Sequence, residues 1–198
     1  MSSQRMTKDE RRAALVDACV TVARKNGLAS TSGRDVAAES GTSIGLLHHY
    51  FGSVDALVAT AFKQVEEADL EAARQDVHHA ASAGEKLEAL VTFFAPATGD
   101  WRYKWWIDVW SLAPERPHLQ EAARRLSLQW RDLIRQILVT GVEAGEFECT
   151  DVDAAAWRIL VMLDGFHVHA STGQLDVPLD HLRRWTSDAL AREAGLDA

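Results

Sequence analysis

The chain has 198 residues, of which 47% are hydrophobic, and it carries a formal net charge of -8 at pH 7. These values are typical of a globular protein with a buried core and exclude a disordered chain. The two cysteines, Cys19 and Cys149, exclude a disulfide framework and a zinc site built from cysteine, which predicts a reducing cytoplasm. The polar first residues predict no signal peptide, and no apolar run reaches the roughly 20 residues of a membrane span.

The charge is unevenly distributed along the chain. Residues 1–62 contain seven Lys and Arg against six Asp and Glu, whereas residues 63–198 contain fourteen against twenty-three. The first part therefore has a net charge of +1 and the second a net charge of -9. Because phosphate contacts are local, the first part can bind DNA even though the whole chain is acidic.

Helical spacing of apolar residues begins near the start of the chain. It predicts a first helix from Lys8 to Lys25 that ends at Gly27. Thr31 or Ser32 can cap a short second helix, since Ser32 and Asp35 have the spacing of a capping box.

A tight turn and a third helix follow. Gly41 ends the second helix because glycine adopts the left-handed conformation at little cost. Ser43 can then cap a helix from Ile44 to Tyr50. Two short helices joined by such a turn are typical of a helix-turn-helix, whose second helix lies in the major groove of DNA.

Only helices are predicted in the rest of the chain, over residues 54–81, 87–94, 101–113, 119–142, 154–170 and 179–190. No segment alternates like a strand, so the predicted fold class is all-α. The predicted domains are a three-helix helix-turn-helix DNA-binding domain, residues 1–52, and a helical ligand-binding and dimerisation domain, residues 53–198. The helix over 154–170 is apolar nearly all round, which favours dimerisation through it and the last helix.

The helix-turn-helix segment carries a run of residues in one register without a gap: Arg34-Asp35-Val36-Ala37, Gly41-Thr42-Ser43, Gly45, Leu47, His49-Tyr50-Phe51, Ser53 and Leu57. Over roughly Arg11 to Leu57 it resembles the DNA-binding signature of TetR-type transcriptional repressors. The resemblance implies a two-domain, all-helical dimer that releases its operator on binding a small molecule. The chain departs from the family pattern at Val54, where Lys is usual, and at His48-His49-Tyr50, where Tyr-Tyr-His is common.

The predicted DNA contacts come from the helix-turn-helix. His49 and Tyr50 are interpreted as phosphate contacts through a ring N–H and a phenol hydroxyl, with a surface pair at a helix end as the alternative. The predicted DNA-binding residues are Thr31, Ser32, Arg34, Thr42, Ser43, Ile44, Gly45, Leu46, His48, His49 and Tyr50.

Enzyme and metal chemistry are both weighed and not predicted. Gly41 to Gly45 matches G-x-S-x-G, but that nucleophile elbow needs a preceding strand, and a helix is predicted there. The histidine pairs His48-His49 and His78-His79 point about 100° apart on a helix and share one ion poorly. No catalytic residue, metal ligand or cofactor is therefore assigned.

The tryptophan-rich segment near residue 105 is the strongest candidate for a ligand site. Trp101, Trp105 and Asp108 fall within about 60° of one another on a helix, which favours an amine or quaternary ammonium ligand. Alternatively, the tryptophans belong to the core and Asp108 pairs with Lys104 one turn earlier. The predicted ligand-binding residues are Trp101, Trp105, Asp108, Trp130, Phe166 and His167. Of these, Trp130, Phe166 and His167 are, like Asp164, weaker candidates for the same cavity, with packing as the alternative.

Residues Gly45 to Phe51, together with a tryptophan-rich helix before a proline break, resemble the choline-responsive BetI-like branch of the family. The sequence thus predicts a cytoplasmic repressor, a homodimer that binds a palindromic double-stranded DNA operator and no membrane. A cationic or lipophilic small-molecule inducer releases it. The alternatives are an enzyme that uses a tryptophan-lined cavity and a ligand-binding helical dimer without sequence-specific DNA binding.

Overall fold

The computed structural model describes residues 6–95, 101, 103–173 and 176–196, and within these ranges it contains helices and no strand. This confirms the predicted all-α fold. None of the described helices combines the length and the apolar character needed to cross a lipid bilayer. In chain order the helices are α1 (Lys8–Asn26), α2 (Gly33–Glu39), α3 (Ile44–Phe51), α4 (Val54–His79), α5 (Ala83–Phe94), α6 (Tyr103–Leu112), the 3-10 helix Ala113–Glu115, α7 (Pro117–Glu143), α8 (Val152–Thr172) and α9 (Leu179–Ala194).

The tryptophan-rich helix is shorter than predicted. It begins at Tyr103 rather than at Trp101, which lies in a turn, and it ends at Leu112 rather than at Ala113. Pro114 explains the early end, because proline lacks the N–H that a continuing α-helix requires. The start differs because helix ends carry the weakest sequence signal.

The helices form two compact units. Unit 1 comprises the described residues within Met1–Glu66 and Lys104–Arg125, and unit 2 comprises those within Glu67–Tyr103 and Leu126–Ala198. Helix α6 therefore belongs to the same unit as the helix-turn-helix. The division of the chain into domains 1–52 and 53–198 stays a prediction. The compact units differ from it, because unit 1 extends to Glu66 and includes residues 104–125.

Unit 1 is built around the apolar faces of α1 and α4. Leu15 of α1, Val36 of α2, Leu47 of α3 and Phe62 of α4 are all fully buried. Helix α2 approaches α4 closely at Gly33, where an added Cβ would lie 2.8 Å from the Val54 side chain. The core thus fixes the short helices of the helix-turn-helix on a longer support.

Unit 2 is built from α5, α8, α9 and the second parts of α4 and α7. Helix α8 contacts both α5 and α9, and α5 also contacts α9. Leu90, Ile159 and Leu190 are buried where these helices meet. At the surface, Arg158 of α8 forms an ion pair with Glu193 of α9 at 2.7 Å. The helix predicted to be apolar nearly all round is therefore covered by α5 and α9 over part of its surface, while its Trp157 and Val161 are exposed.

Candidate DNA-binding and ligand-binding sites

The start of α2 is fixed by Ser32. Its hydroxyl oxygen accepts a hydrogen bond from the Asp35 N–H at 3.2 Å and donates one to the Asp35 carboxylate at 2.6 Å. This satisfies one of the backbone donors that every helix start leaves free. Ser32 thus caps α2, as predicted, and Thr31 does not.

The turn between α2 and α3 has the predicted left-handed glycine. Gly41 has a φ of +63°, and the Thr42 N–H after it donates to the Ala37 carbonyl at 2.9 Å. Ser43 then caps α3 by accepting a hydrogen bond from the Leu46 N–H at 3.2 Å. Local hydrogen bonds therefore set the angle at which α3 leaves α2.

Helix α3 has one buried side chain and a broad exposed face. Leu47 is fully buried, whereas Ile44 is 43% exposed and Gly45 and His49 are exposed. A Cβ at Gly45 would meet only the Ser43 hydroxyl, at 3.8 Å. The helix is thus anchored from one side and open on the other, which is the arrangement that a groove-binding helix needs.

Most of the predicted DNA-binding residues are accessible. Ser32, Arg34, Ser43, Ile44, Gly45, His48 and His49 are exposed, and Thr42, Leu46 and Tyr50 are partly exposed. Thr31 is the exception, since it is 6% exposed and its hydroxyl donates to the Gly27 carbonyl at 3.0 Å. Burial leaves Thr31 no access to a phosphate in this conformation, and contact with DNA stays a prediction for the others.

Helix α3 is also held at its C-terminal end. The guanidinium of Arg12, on α1, lies 4.7 Å from the centre of the Phe51 ring. The His48 Nδ1 lies 3.1 Å from the Gly52 carbonyl oxygen, which ends the helix. The cation–π contact links the last residue of α3 to α1, and the His48 contact closes the C-terminal turn of α3.

Asp108 of α6 binds the corner between α1 and α2. Its Oδ2 accepts a hydrogen bond from the Leu28 N–H at 2.8 Å, and Leu28 is fully buried. A charged acceptor makes such a bond stronger than a neutral pair. The sequence suggested Lys104 as the alternative partner of Asp108, and an 80-residue separation left no signal for Leu28.

Two further hydrogen bonds connect α6 and α7 to α4 within unit 1. The indole N–H of Trp106 donates to the Glu66 carboxylate at 2.6 Å, and Glu66 is buried. The His118 N–H, at the start of α7, donates to the Asp55 carboxylate at 3.1 Å. Trp105, predicted as a ligand residue, is 1% exposed. In unit 1, α6 is therefore held by polar bonds and by a buried indole.

An aromatic cluster occupies the junction of α5, α7 and α8 in unit 2. The Phe94 ring lies 5.1 Å from the Trp130 ring and 6.3 Å from the His167 ring, and the Phe93 ring lies 5.6 Å from the Trp130 ring. Trp130 and His167 were predicted as ligand residues and are brought together here. The two phenylalanines were missed because the α5 pattern indicated only a core face.

Asp164 is an acid within the most apolar helix of the chain. It is half-buried, and desolvation raises the pKa of its carboxyl from 3.8 to about 7. It lies one turn before His167, on the side of α8 that continues to Ser171. Phe166, another predicted ligand residue, is buried in the core. The sequence signal for Asp164 was available, because an acid in an apolar helix is unusual.

Two family models match the sequence. The model for "Bacterial regulatory proteins, tetR family" matches residues 15–61, and the model for "BetI-type transcriptional repressor, C-terminal" matches residues 83–195, more than half of the chain. The chain belongs to the TetR family of transcriptional regulators. The resemblance inferred from the helix-turn-helix is thus confirmed, including its BetI-like branch. As a TetR-family regulator the chain is not an enzyme, which was also predicted.

Relatives cover nearly the whole TetR-family chain. The HTH-type transcriptional regulator BetI of Rhizobium meliloti (strain 1021) is 26% identical over 184 residues, which are 90% of this chain and 86% of the relative. A transcriptional regulator from Saccharomonospora viridis, solved with choline, has a TM-score of 0.78 and 24% identity, over 91% of this chain and 95% of that one. FadR from Bacillus subtilis, solved with stearoyl-CoA, has a TM-score of 0.74 and 21% identity, over 91% and 98%. Both structures share the fold of this chain.

Proposed function

We propose that this TetR-family regulator is a ligand-responsive repressor that binds a palindromic operator as a homodimer. The observation that carries the proposal is the exposed face of α3, which is anchored by Leu47 and presents Ile44, Gly45 and His49 to solvent. A recognition helix reads base edges from such a face. His49 and Tyr50, whose rings lie 5.3 Å apart, are proposed to contact phosphates at the end of α3.

Dimerisation is supported by exposed apolar side chains on α8 and α9. Val161 is 66% exposed and Trp185 is 51% exposed, and Trp157 and Leu179 are also exposed. Exposed apolar patches of this kind mark protein interfaces, and a two-fold dimer covers the same patch on both chains. The two helix-turn-helix domains of the dimer, one from each chain, then bind the two half-sites of a palindromic operator.

Release of the operator is proposed to follow ligand binding in the C-terminal part of the chain. Successive major grooves on one face of DNA are roughly 34–36 Å apart. A ligand that favours one of two conformations changes the distance between the two helix-turn-helix domains of the dimer, so that it no longer matches this spacing. The ligand-binding role of Trp101, Trp105 and Asp108 stays a prediction, while Asp108 also holds the α1–α2 corner through Leu28. A DNA-binding repressor of this kind acts in the cytoplasm.

The test is a mobility-shift assay with DNA that flanks the chain's own gene. We expect a discrete complex that resists a large excess of unrelated DNA. Sedimentation should give about 44 kDa, twice the chain mass of 21.9 kDa. A dimer that binds both DNAs equally would favour the alternative, a helical ligand-binding dimer without sequence-specific recognition.

A further inference from the structure

Two polar side chains of α8 have no hydrogen-bond partner among the described residues. The Ser171 Oγ is buried and unpaired. No described residue donates a hydrogen bond to Asp164 or forms an ion pair with it, and desolvation alone raises its pKa. Buried polar groups are nearly always paired in native structures, so the Ser171 hydroxyl requires an explanation. Asp164 is half-buried, and its carboxylate is not among the fully buried unpaired groups. Both lie in unit 2, on the same side of α8.

The surroundings of Asp164 favour a positive charge. Residues 63–198 carry a net charge of -9, and the residues one turn before and after Asp164 on α8, Leu160 and His167, are buried. A carboxylate in an apolar setting interacts more strongly with a cation than it does in water. A ligand cation beside Asp164 would thus be attracted both by the Asp164 carboxylate and by the net negative charge of residues 63–198.

The aromatic cluster does not form an open cage for such a cation. The Phe94 ring meets the Trp130 ring at 73° and the His167 ring at 83°, with centroids 5.1 and 6.3 Å apart. These rings interlock edge to face, so part of their face area is already in contact with neighbouring rings. A quaternary ammonium group binds mainly through ring faces, since it has no N–H to donate. The cluster therefore leaves less ring-face area for cation–π contact with a quaternary ammonium group than a set of open ring faces would.

We propose that unit 2 binds an organic amine that keeps at least one N–H, with Asp164 as the acceptor of that N–H. The apolar part of the amine packs against the cluster formed by Phe93, Phe94, Trp130 and His167, which lies one turn further along α8. A charge-assisted hydrogen bond to a desolvated carboxylate is among the strongest available in proteins. This assignment names the class of inducer and so rests on the proposed function.

Matched ligands test the proposal. Octylamine, N,N-dimethyloctylamine, octyltrimethylammonium and octanol share one chain and differ in charge and in N–H donors. We expect the two amines to bind the wild-type protein in calorimetry and to raise its melting temperature. Octyltrimethylammonium and octanol should bind at least about tenfold more weakly. Equal binding of N,N-dimethyloctylamine and octyltrimethylammonium would overturn the requirement for an N–H.

Matched variants test the residue. Asp164→Asn keeps the size and removes the charge, and it should reduce amine affinity by about tenfold or more. Glu88→Gln removes one charge from an exposed position of α5 in the same unit and should leave amine affinity unchanged. Unchanged amine binding in Asp164→Asn, or its conversion to a monomer in sedimentation, would overturn the assignment and leave Asp164 as a structural or interface residue.

The outcome is separable from that of the proposed function. Specific operator binding by the wild-type protein without ligand tests the repressor, and amine binding without DNA tests the site. If the operator is bound and the amines are not, the amine proposal fails alone. If the amines bind and no operator is recognised, the site stands and the repressor proposal fails.

Discussion

Helices α3 and α8 differ in where their informative residues lie. Helix α3 has eight residues, is capped by Ser43, and buries one side chain, Leu47, in the core. Helix α8 has 21 residues and buries seven of them in unit 2, yet it includes Asp164 and Ser171 without described partners. On α3 the residues expected to function are exposed and the backbone is satisfied locally. On α8 the unusual residues are the half-buried Asp164 and the buried hydroxyl of Ser171, neither of which has a hydrogen-bond partner among the described residues.

This contrast indicates how each region can be changed without loss of the fold. A surface helix tolerates a new side chain that points outward, so its function can be removed while the protein stays folded. In a packed helix, an unsatisfied polar group already costs stability, so its removal should make the protein more stable.

Gly45→Leu should abolish operator binding. The leucine side chain would project into the open space in front of α3, where only the Ser43 hydroxyl lies within 4 Å of an added Cβ. We expect at least a roughly hundredfold loss of affinity in fluorescence anisotropy, because the helix could no longer approach the base edges. Gly45→Ala should retain much of the affinity. Wild-type operator affinity in a Gly45→Leu protein with native circular dichroism would show that α3 is not the recognition helix.

Trp185→Asp should yield monomers that lose the operator. Trp185 is 51% exposed on α9, and a charge there would be desolvated in an apolar interface. We expect sedimentation near 22 kDa, the mass of one chain, and operator affinity reduced by roughly tenfold or more, since one head reads half a site. Trp185→Phe keeps an apolar ring and should remain dimeric. If Trp185→Asp stays dimeric at micromolar concentration, this part of α9 lies outside the interface.

Asp108→Ala should destabilise unit 1. The substitution removes the carboxylate that accepts a hydrogen bond from the Leu28 N–H at 2.8 Å, and the Leu28 side chain is fully buried. We expect the free energy of unfolding to fall by about 1–3 kcal/mol in urea denaturation. Asp108→Asn keeps an acceptor oxygen and should cost less. If Asp108 instead serves only a cationic ligand, both variants would keep wild-type stability without ligand and lose ligand affinity.

Asp164→Asn should be more stable than the wild type, and increasingly so as the pH rises. The pKa of the Asp164 carboxyl is raised to about 7 in the folded chain, so folding favours its protonated form. The wild-type free energy of unfolding should therefore fall between about pH 4 and pH 7, a loss that asparagine does not share. We expect a difference on the order of 1 kcal/mol at pH 8 and a smaller one at pH 5, from urea denaturation. A difference independent of pH would show that Asp164 does not titrate differently in the two states.

The elements predicted best from the sequence are those whose determinants are local. Ser32, Gly41 and Ser43 act on residues no more than five positions away, so the helix-turn-helix and its caps could be predicted from spacing alone. The partner of Asp108 is 80 residues distant and is a backbone N–H, which no side-chain pattern indicates. Helix ends were also predicted poorly, because periodicity alone placed the start of α6 at Trp101 rather than at Tyr103.

The polar bonds of α6 have a consequence for chimeric regulators. The simplest exchange of DNA-binding domains between two regulators would join them at residue 52, where the predicted DNA-binding domain ends. A foreign DNA-binding domain joined there would present a different α1–α2 corner to Asp108, so the hydrogen bond from the Leu28 N–H would no longer be the native one. The bond between Trp106 and Glu66 lies wholly beyond the junction and would remain. A graft that carries residues 104–125 along with residues 1–66 keeps both bonds intact. The transplantable piece of this regulator is therefore discontinuous in sequence, and a functional exchange requires two junctions more than a simple head swap.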